Sequence, residues 1–178
     1  MHKYQNKYRI RSARASWWNY SRNAAYFVTI CTKDRISYFG RINSGIVELT
    51  DVGRIAYNRW QEIPVKFPFV KLGEFVVMPN HIHGIIIIGK SDSSRIKVSL
   101  KSGGITGNKN PMLHMNLSHI IRWYKGGVTY ECRKMNPSFG WQSRFHDRIV
   151  RSEGALDSIS VYIANNPVKW NTDKLNTK

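Results

Sequence analysis

Acidic residues, cysteines and long apolar runs are all scarce in this chain. Only 11 Asp and Glu stand against 28 Lys and Arg in 178 residues, a formal net charge of +17, well beyond what solubility alone requires. A polyanionic partner is expected, although composition does not by itself separate DNA from RNA, ribosomes or an anionic membrane surface. The two cysteines, Cys31 and Cys132, have no Cys-x-x-Cys spacing, which argues against a disulfide framework and a thiolate zinc site and fits a reducing cytoplasm. The longest apolar run that matters, residues 85–88, is far shorter than the roughly 20 residues that cross a bilayer, and the N-terminus has no apolar signal segment, so no membrane partner is expected. Residues 1–33 lack acid and carry Arg and Ser as a transit peptide does, but Tyr4, Tyr8, Trp17, Trp18 and Tyr20 make them too aromatic for one.

What is present fits one domain with appended arms; a chain of this size buries roughly 70% of its unfolded surface. No internal repeat is visible. The expected division is a basic aromatic arm over 1–24, a catalytic domain over 25–170 and a tail over 171–178. Tyr26-Phe-Val-Thr-Ile-Cys-Thr32 is β-branched and aromatic and ends at Lys33-Asp34-Arg35, which predicts a first core strand and a turn. Thr50 can cap a helix on Val52, Ile55, Ala56, Trp60 and Ile63, and Pro64 and Pro68 predict its end near Ile63. Phe75-Val-Val-Met78 and residues 81–88 flank Pro79-Asn80, predicting a hairpin at the centre of a sheet with its histidine end at the rim.

Residues 89–115 carry Gly, Ser, Asn and Lys without periodicity and predict a mobile loop. A second helix is predicted from Asn116 to Met135 on Leu117, Ile120, Ile121, Tyr124, Val128 and Cys132, weakened at Gly126-Gly127. Its other face, with His119, Arg122, Lys125 and Arg133, is either a solvated face or a phosphate-facing one. Residues 141–150 predict a further strand. Ser152 caps a last helix on Leu156, Ile159 and Ile163, stopped by Pro167. The order strand, helix, strand, strand, helix, strand, helix fits an α+β fold: a ferredoxin-like or RRM-like antiparallel sheet with helices on one face and an extra C-terminal helix.

In a strand, His81-Ile82-His83 points both imidazoles to one face, so two nitrogens can meet one metal ion. Read alone, such a triplet is equally what a surface strand carries without a ligand. Its place after a Pro-Asn turn, opening an apolar strand, changes the weighting, because ionisable groups there are costly without a partner. Two imidazoles and no thiolate suit a labile Mg or Mn site with positions left for water and phosphate oxygens. On the last helix Tyr162 and Asn166 lie four residues apart on one face. They read as a nucleophile and a third ligand, or as an interfacial aromatic and an ordinary helix C-terminal asparagine. His146 and Asp147, adjacent on a strand, point to opposite faces and read as structural.

Met78-Pro-Asn-His-Ile-His-Gly84, Trp141-Gln142, Phe145-His-Asp147 and Tyr162-Ile-Ala-Asn-Asn-Pro-Val168, in this order, resemble the REP-associated tyrosine transposases, which belong among the HUH single-strand DNA transposases (the IS200-like group). The resemblance runs from about Tyr26 to Lys169. It implies a divalent metal, Mg or Mn, on His81 and His83, and Tyr162 as the nucleophile. Asn166 takes the third metal position, where other branches carry Gln or Glu. It further implies a 5′-phosphotyrosine intermediate with a free 3′ hydroxyl, single-stranded DNA bearing a hairpin repeat as partner, and a self-contained monomer rather than a homodimer. A bacterial, nucleoid-associated cytoplasmic location follows from the same resemblance. Arg122, Lys125, Arg144 and Arg148 are the expected DNA contacts, and the N-terminal arm either reads a flanking hairpin or is a solvated tail. Two other functions remain open at this point: a domesticated module that binds repeat DNA without cutting it, and a metal-dependent hydrolase that activates water and forms no protein adduct.

Overall fold

The computed structural model describes residues 18–20, 22–89 and 115–176, and backbone pairing alone at 3–4 and 7–8. In chain order the elements are β1 (Lys3–Tyr4), β2 (Lys7–Tyr8), β3 (Ala24–Cys31), β4 (Gly40–Asn43), β5 (Ile46–Leu49), α1 (Asp51–Gln61), α2 (Ile63–Lys66), β6 (Val70–Val77), β7 (His81–Ile88), α3 (Leu117–Met135), β8 (His146–Val150) and α4 (Glu153–Ala164). More than half of the arm expected over 1–24 and all but the ends of the loop expected over 89–115 lie outside the described residues.

The main sheet has four antiparallel strands in the order β6-β7-β3-β8, the α+β arrangement expected. Alternation divides its side chains between two layers. Tyr26, Val28 and Ile30 of β3 and Ile82, Ile86 and Ile88 of β7 are buried in one core with Ala56 and Trp60 of α1 and Ile120, Tyr124 and Val128 of α3. The opposite face packs Ile85 and Ile87 of β7 and Val76 of β6 against Ile159 and Ile163 of α4. The extra C-terminal helix therefore covers the face that α1 and α3 leave free, and the two histidines are on its side.

Thr50 and Ser152 cap as the sequence signals, accepting from Gly53 N and Ala155 N, and Asn116, read as the start of its helix, is that helix's cap and accepts from His119 N. The six apolar residues that predict α3 are all buried, and the helix runs unbroken through Gly126-Gly127, because its stability comes from that packed stripe rather than from propensity.

Three expectations need correction, and one hairpin was not foreseen. The β6–β7 hairpin is not wholly central: β7 is interior, but β6 is an edge strand, begins at Val70 and shifts register between Leu72 and Phe75, a bulge of the kind edges favour. Pro64 does not end helical structure, since the short α2 accommodates it in its first turn, where no N–H is needed. Residues 141–150 are not one strand. Trp141 makes only an isolated bridge to Thr32 and turns into the aromatic cluster of Phe39 and Phe139, leaving β8 to start at His146. The β4–β5 hairpin is additional; its two-residue turn has positive φ at both Ser44 and Gly45, as a primed turn requires.

Gly84 fixes how α1 seats on the sheet. A Cβ there would collide with the Trp60 ring, which lies stacked on Phe75 with centroids 5.7 Å apart. Gly84→Ala is therefore expected to destabilise the fold by about 1–3 kcal/mol, read as a lower urea midpoint at unchanged m-value; an unshifted midpoint would mean that Trp60 does not depend on this approach.

Candidate active site

β7 pairs with β3 so that His83 lies opposite Thr29 and His81 opposite Cys31. Both imidazoles lie within the protein rather than at an open rim: His81 is 0% and His83 3% exposed, and their rings are 4.5 Å apart between centroids. The Pro79-Asn80 turn is held firmly. Asn80 O accepts from Thr32 N at 2.9 Å, and Pro79 O accepts from Phe39 N at 2.9 Å.

The hydrogen bonds settle where the lone pairs point. The Asn80 amide donates through Nδ2 to Leu175 O at 2.8 Å, so its Oδ1, 2.8 Å from His81 Nδ1, must accept. His81 therefore carries its proton on Nδ1 and presents a bare Nε2, which is buried with no partner in the described structure. His83 Nδ1 lies 2.8 Å from Thr29 Oγ1, and its Nε2 lies 3.3 Å from the Tyr162 hydroxyl. Orienting one ring nitrogen so that the other is free is how metal-binding imidazoles are usually arranged.

A carboxylate completes the group. Ligand atoms of His81, His83 and Asp173 all lie within 4.8 Å of one another. Asp173 comes from the segment beyond α4, where a 3-10 turn over Trp170–Thr172 sets the Trp170 ring 5.9 Å from that of His81. Asp173 also accepts from Leu175 N at 2.7 Å. Residues 171–176, expected as a tail, thus pack against the histidines. Sequence reasoning missed Asp173; the signal was Trp170, an aromatic residue needing burial just past the last helix. Asn166, expected as third ligand, is 2% exposed with its Oδ1 buried and unpartnered.

Tyr162 is 44% exposed and meets Phe27 edge-on at 6.1 Å. It opens into a cleft of about 790 Å³ whose lining includes His83, His146, Arg148, Asn166 and Asp173. His146, read from sequence as structural, is exposed opposite Thr29 on this face, while Asp147 opposite Val28 is turned to the other. The four expected DNA contacts are divided: Arg148 is in the cleft, whereas Arg122, Lys125 and Arg144 line a separate groove on α3. Lys125 is held within the protein, its Nζ donating to Gln142 O at 2.6 Å and Arg144 O at 3.3 Å.

Electrostatics follow burial. Desolvation lowers His81 from 6.5 to about 2, aided by His83 and Arg35, and lowers His83 to about 4 against the opposing pull of Asp173. Both imidazoles are neutral at pH 7, the form that ligates metal. The Tyr162 phenol is pushed above its ordinary 10.0 by burial and by the Asp173 carboxylate, with a hydrogen bond from Asn166 opposing. Lys125 is lowered to about 8 by burial.

The buried, unpartnered Nε2 of His81, the neighbouring imidazole and the carboxylate form a donor set that fits a divalent cation of the Mg, Mn or Zn kind. Chemically the cleft can polarise an anionic ligand beside a phenol and an arginine.

No protein-family model matches the chain. An uncharacterized protein of Haemophilus influenzae is 36% identical over 168 residues, spanning 93% of this chain and 92% of that protein. Among solved structures, a REP-associated tyrosine transposase bound to a REP hairpin aligns with a TM-score of 0.62 over 93% of this chain and 77% of its own, at 21% identity. At that identity the likeness is one of fold. No helix among the described residues is long and apolar enough to cross a membrane.

Since both histidines titrate below 6.5 when folded, acidification below pH 6.5 loads protons on the unfolded chain that the folded one refuses, and stability falls as pH falls. In EDTA the urea midpoint should decline below 6.5, with the share of His83 exhausted near 4 and that of His81 continuing toward 2. His83→Gln should flatten the upper part of that decline; an unchanged slope would contradict the assignment.

Proposed function

We propose, for a chain that belongs to one family with the Haemophilus influenzae protein and has the fold of a REP-associated tyrosine transposase, that it nicks and rejoins single-stranded DNA beside a hairpin repeat through Tyr162. The observation that carries this reading is the phenol of Tyr162 placed 3.3 Å from His83 Nε2, in the cleft that also holds the His81, His83 and Asp173 donors. The motif resemblance supports the same roles.

In the proposed reaction the Tyr162 oxygen attacks the scissile phosphorus in line with the bond to the 3′ oxygen. The new O–P bond forms as the P–O3′ bond breaks; the phenol loses its proton and the departing 3′ oxygen gains one. No water or nucleotide is consumed, so the stored phosphodiester permits the reverse attack by a 3′ hydroxyl. A phenol held above its ordinary pKa by burial and by Asp173 is a poor nucleophile at neutral pH and needs positive charge nearby. His81, His83 and Asp173 would hold a divalent metal, Mg or Mn, that supplies Lewis acidity to the scissile phosphate. Engaging the Asp173 charge in this way would relieve one of the two causes that keep the phenol protonated. Asn166, one turn beyond Tyr162, serves either as a further oxygen ligand or as the donor that steadies the phenolate; its buried Oδ1 supports the first role and its bond to Tyr162 the second. Arg148, exposed in the same cleft, is placed to neutralise a phosphate.

The tyrosine and both histidines meet within one chain, which supports a self-contained monomer. The net charge of +17 supports association with nucleic acid, and the motif resemblance supports a bacterial cytoplasm as the place where it meets one.

Wild type and Tyr162→Phe, incubated with labelled hairpin-bearing single-stranded DNA from the gene's own flanks and Mg or Mn, should differ on denaturing electrophoresis. Wild type forms a covalent adduct that Tyr162→Phe abolishes, and His81→Ala lowers adduct yield by about 100-fold or more while retaining DNA affinity. Metal-dependent cleavage that survives in Tyr162→Phe would identify a hydrolase, and tight binding without cleavage a domesticated repeat-binding module.

A further inference from the structure

The row of side chains across the floor of the Tyr162 cleft holds a third imidazole. His83 on β7 and His146 on β8 are both register partners of Thr29, one on each side of β3, and directly opposed residues of antiparallel strands share a face. All three line the cleft. His83 is 3% and Thr29 8% exposed, whereas His146 is open to solvent. The two imidazoles stand two strand spacings apart, about 10 Å at the backbone, with only the small threonine side chain between them.

The phenol occupies one end of that row. Its hydroxyl is 3.3 Å from His83 Nε2, and its ring meets Phe27, which lies two residues before Thr29 on the same face of β3. The cleft runs from there toward β8, where Arg148 stands opposite Phe27 and His146 opposite Thr29. A phosphate seated between the phenol and β8 has its attacking and departing oxygens in line, so the 3′ oxygen departs on the side of His146.

The chemistry asks for a proton at that end. An alkoxide is a much stronger base than a phenoxide, so a phenol that expels a 3′ oxygen climbs in energy unless the oxygen is protonated as its bond breaks. The other groups of the cleft do not supply that proton. His83 has Nδ1 against Thr29 and Nε2 against the phenol, at the opposite end of the row. Asp173 shares the donor group with the two buried histidines, and Asp147 is turned to the other layer of the sheet. Arg148, Lys169 and Lys174 belong to residue types that ordinarily keep their protons through neutral pH and act as fixed charges. Imidazole is the side chain that exchanges a proton between about pH 5 and 8, and His146 is the imidazole at the departing end.

We propose that His146 is the general acid of the cleft: its imidazolium gives a proton to the departing 3′ oxygen during nicking, and the neutral ring takes a proton from the 3′ hydroxyl during rejoining. This rests on the strand-transfer reading above. In the forward step the bond from the Tyr162 oxygen to phosphorus forms and the P–O3′ bond breaks, while the phenol proton passes to solvent and the His146 proton to O3′. The neutral ring left behind is the base for the reverse attack, in which the phenoxide is expelled and reprotonated from solvent.

The test compares the rate of covalent adduct formation by wild type, His146→Gln and Arg148→Gln on two forms of the same hairpin-bearing single-stranded DNA. One has the natural 3′ oxygen at the bond that wild type cuts, and the other has sulfur bridging in its place. A thiolate is a weak enough base to leave without a proton, so the sulfur form needs no acid. His146→Gln should react about 100-fold more slowly than wild type on the oxygen form and within about threefold of it on the sulfur form. Arg148→Gln, which removes a charge from the phosphate, should slow both forms alike. The affinity of His146→Gln for the DNA should match that of wild type, which excludes loss of fold. Equal slowing of His146→Gln on both forms, or none on the oxygen form, would overturn His146 as the acid and leave Tyr162 as the nucleophile. Absence of any wild-type adduct on either form would instead remove the strand-transfer reading, and this assignment with it.

Discussion

The register of β7 against β3, with His83 opposite Thr29 and His81 opposite Cys31, is the constraint from which the rest of the site follows. Because side chains alternate, a slip by one residue would carry both imidazoles into the layer packed by α1 and α3 and bring isoleucines into the cleft. Two features hold the register. Gly84 admits the Trp60 ring to one face only, and the Asn80 turn is tied to Thr32 and to Leu175. A strand so apolar could otherwise tolerate either pairing. Specificity comes from the few positions that cannot be exchanged.

Burial then decides the state of the histidines. Removed from water, each imidazole stays neutral, and each is oriented through Nδ1, by Asn80 in one case and Thr29 in the other. That leaves the Nε2 of His83 facing the Tyr162 hydroxyl and the Nε2 of His81 buried without a partner, with the Asp173 carboxylate in the same group. An imidazole lone pair buried without a partner is costly in an apolar interior, and this one recurs beside a second imidazole and a carboxylate. In the function proposed, a cation there would resolve the desolvation of all three together, which would link the stability of this region to its chemistry.

Much of this architecture was legible in the sequence because it rests on local, repeating signals. The α3 stripe, the caps at Thr50 and Ser152, and the central apolar strand after Pro79-Asn80 follow from periodicity and hydrogen-bonding chemistry within a few residues. What was not legible depends on contacts between distant segments. Asp173 meets the histidines through a chain reversal after Pro167, and no short-range pattern reports that. His146 looked structural because adjacency to Asp147 was weighed and register with Thr29 could not be. Arg148 and Arg144 lie four residues apart, yet only the sheet edge between them reveals that they serve different surfaces. Lys125 read as a phosphate contact by residue type, and its burial against two carbonyls is a tertiary fact.

The scarcity of acid gives the placement of Asp173 its weight. Glu48, Asp51, Glu62 and Glu131 each stand against an arginine or lysine on the surface, where such pairs contribute little and mainly temper local repulsion. Asp173 is held by the backbone N–H of Leu175 and turned toward two neutral imidazoles. In a chain of net charge +17, a carboxylate that shares a ligand group with two neutral imidazoles is placed otherwise than these surface pairs. It raises the pKa of the phenol it faces and opposes the lowering of His83, both effects of a local negative field that only a cation at the same point would cancel. In the function proposed, the basic exterior and Asp173 would do complementary work: the surface would gather a polyanion, and the carboxylate would reserve a place among the imidazoles for a small cation that a phosphate can approach.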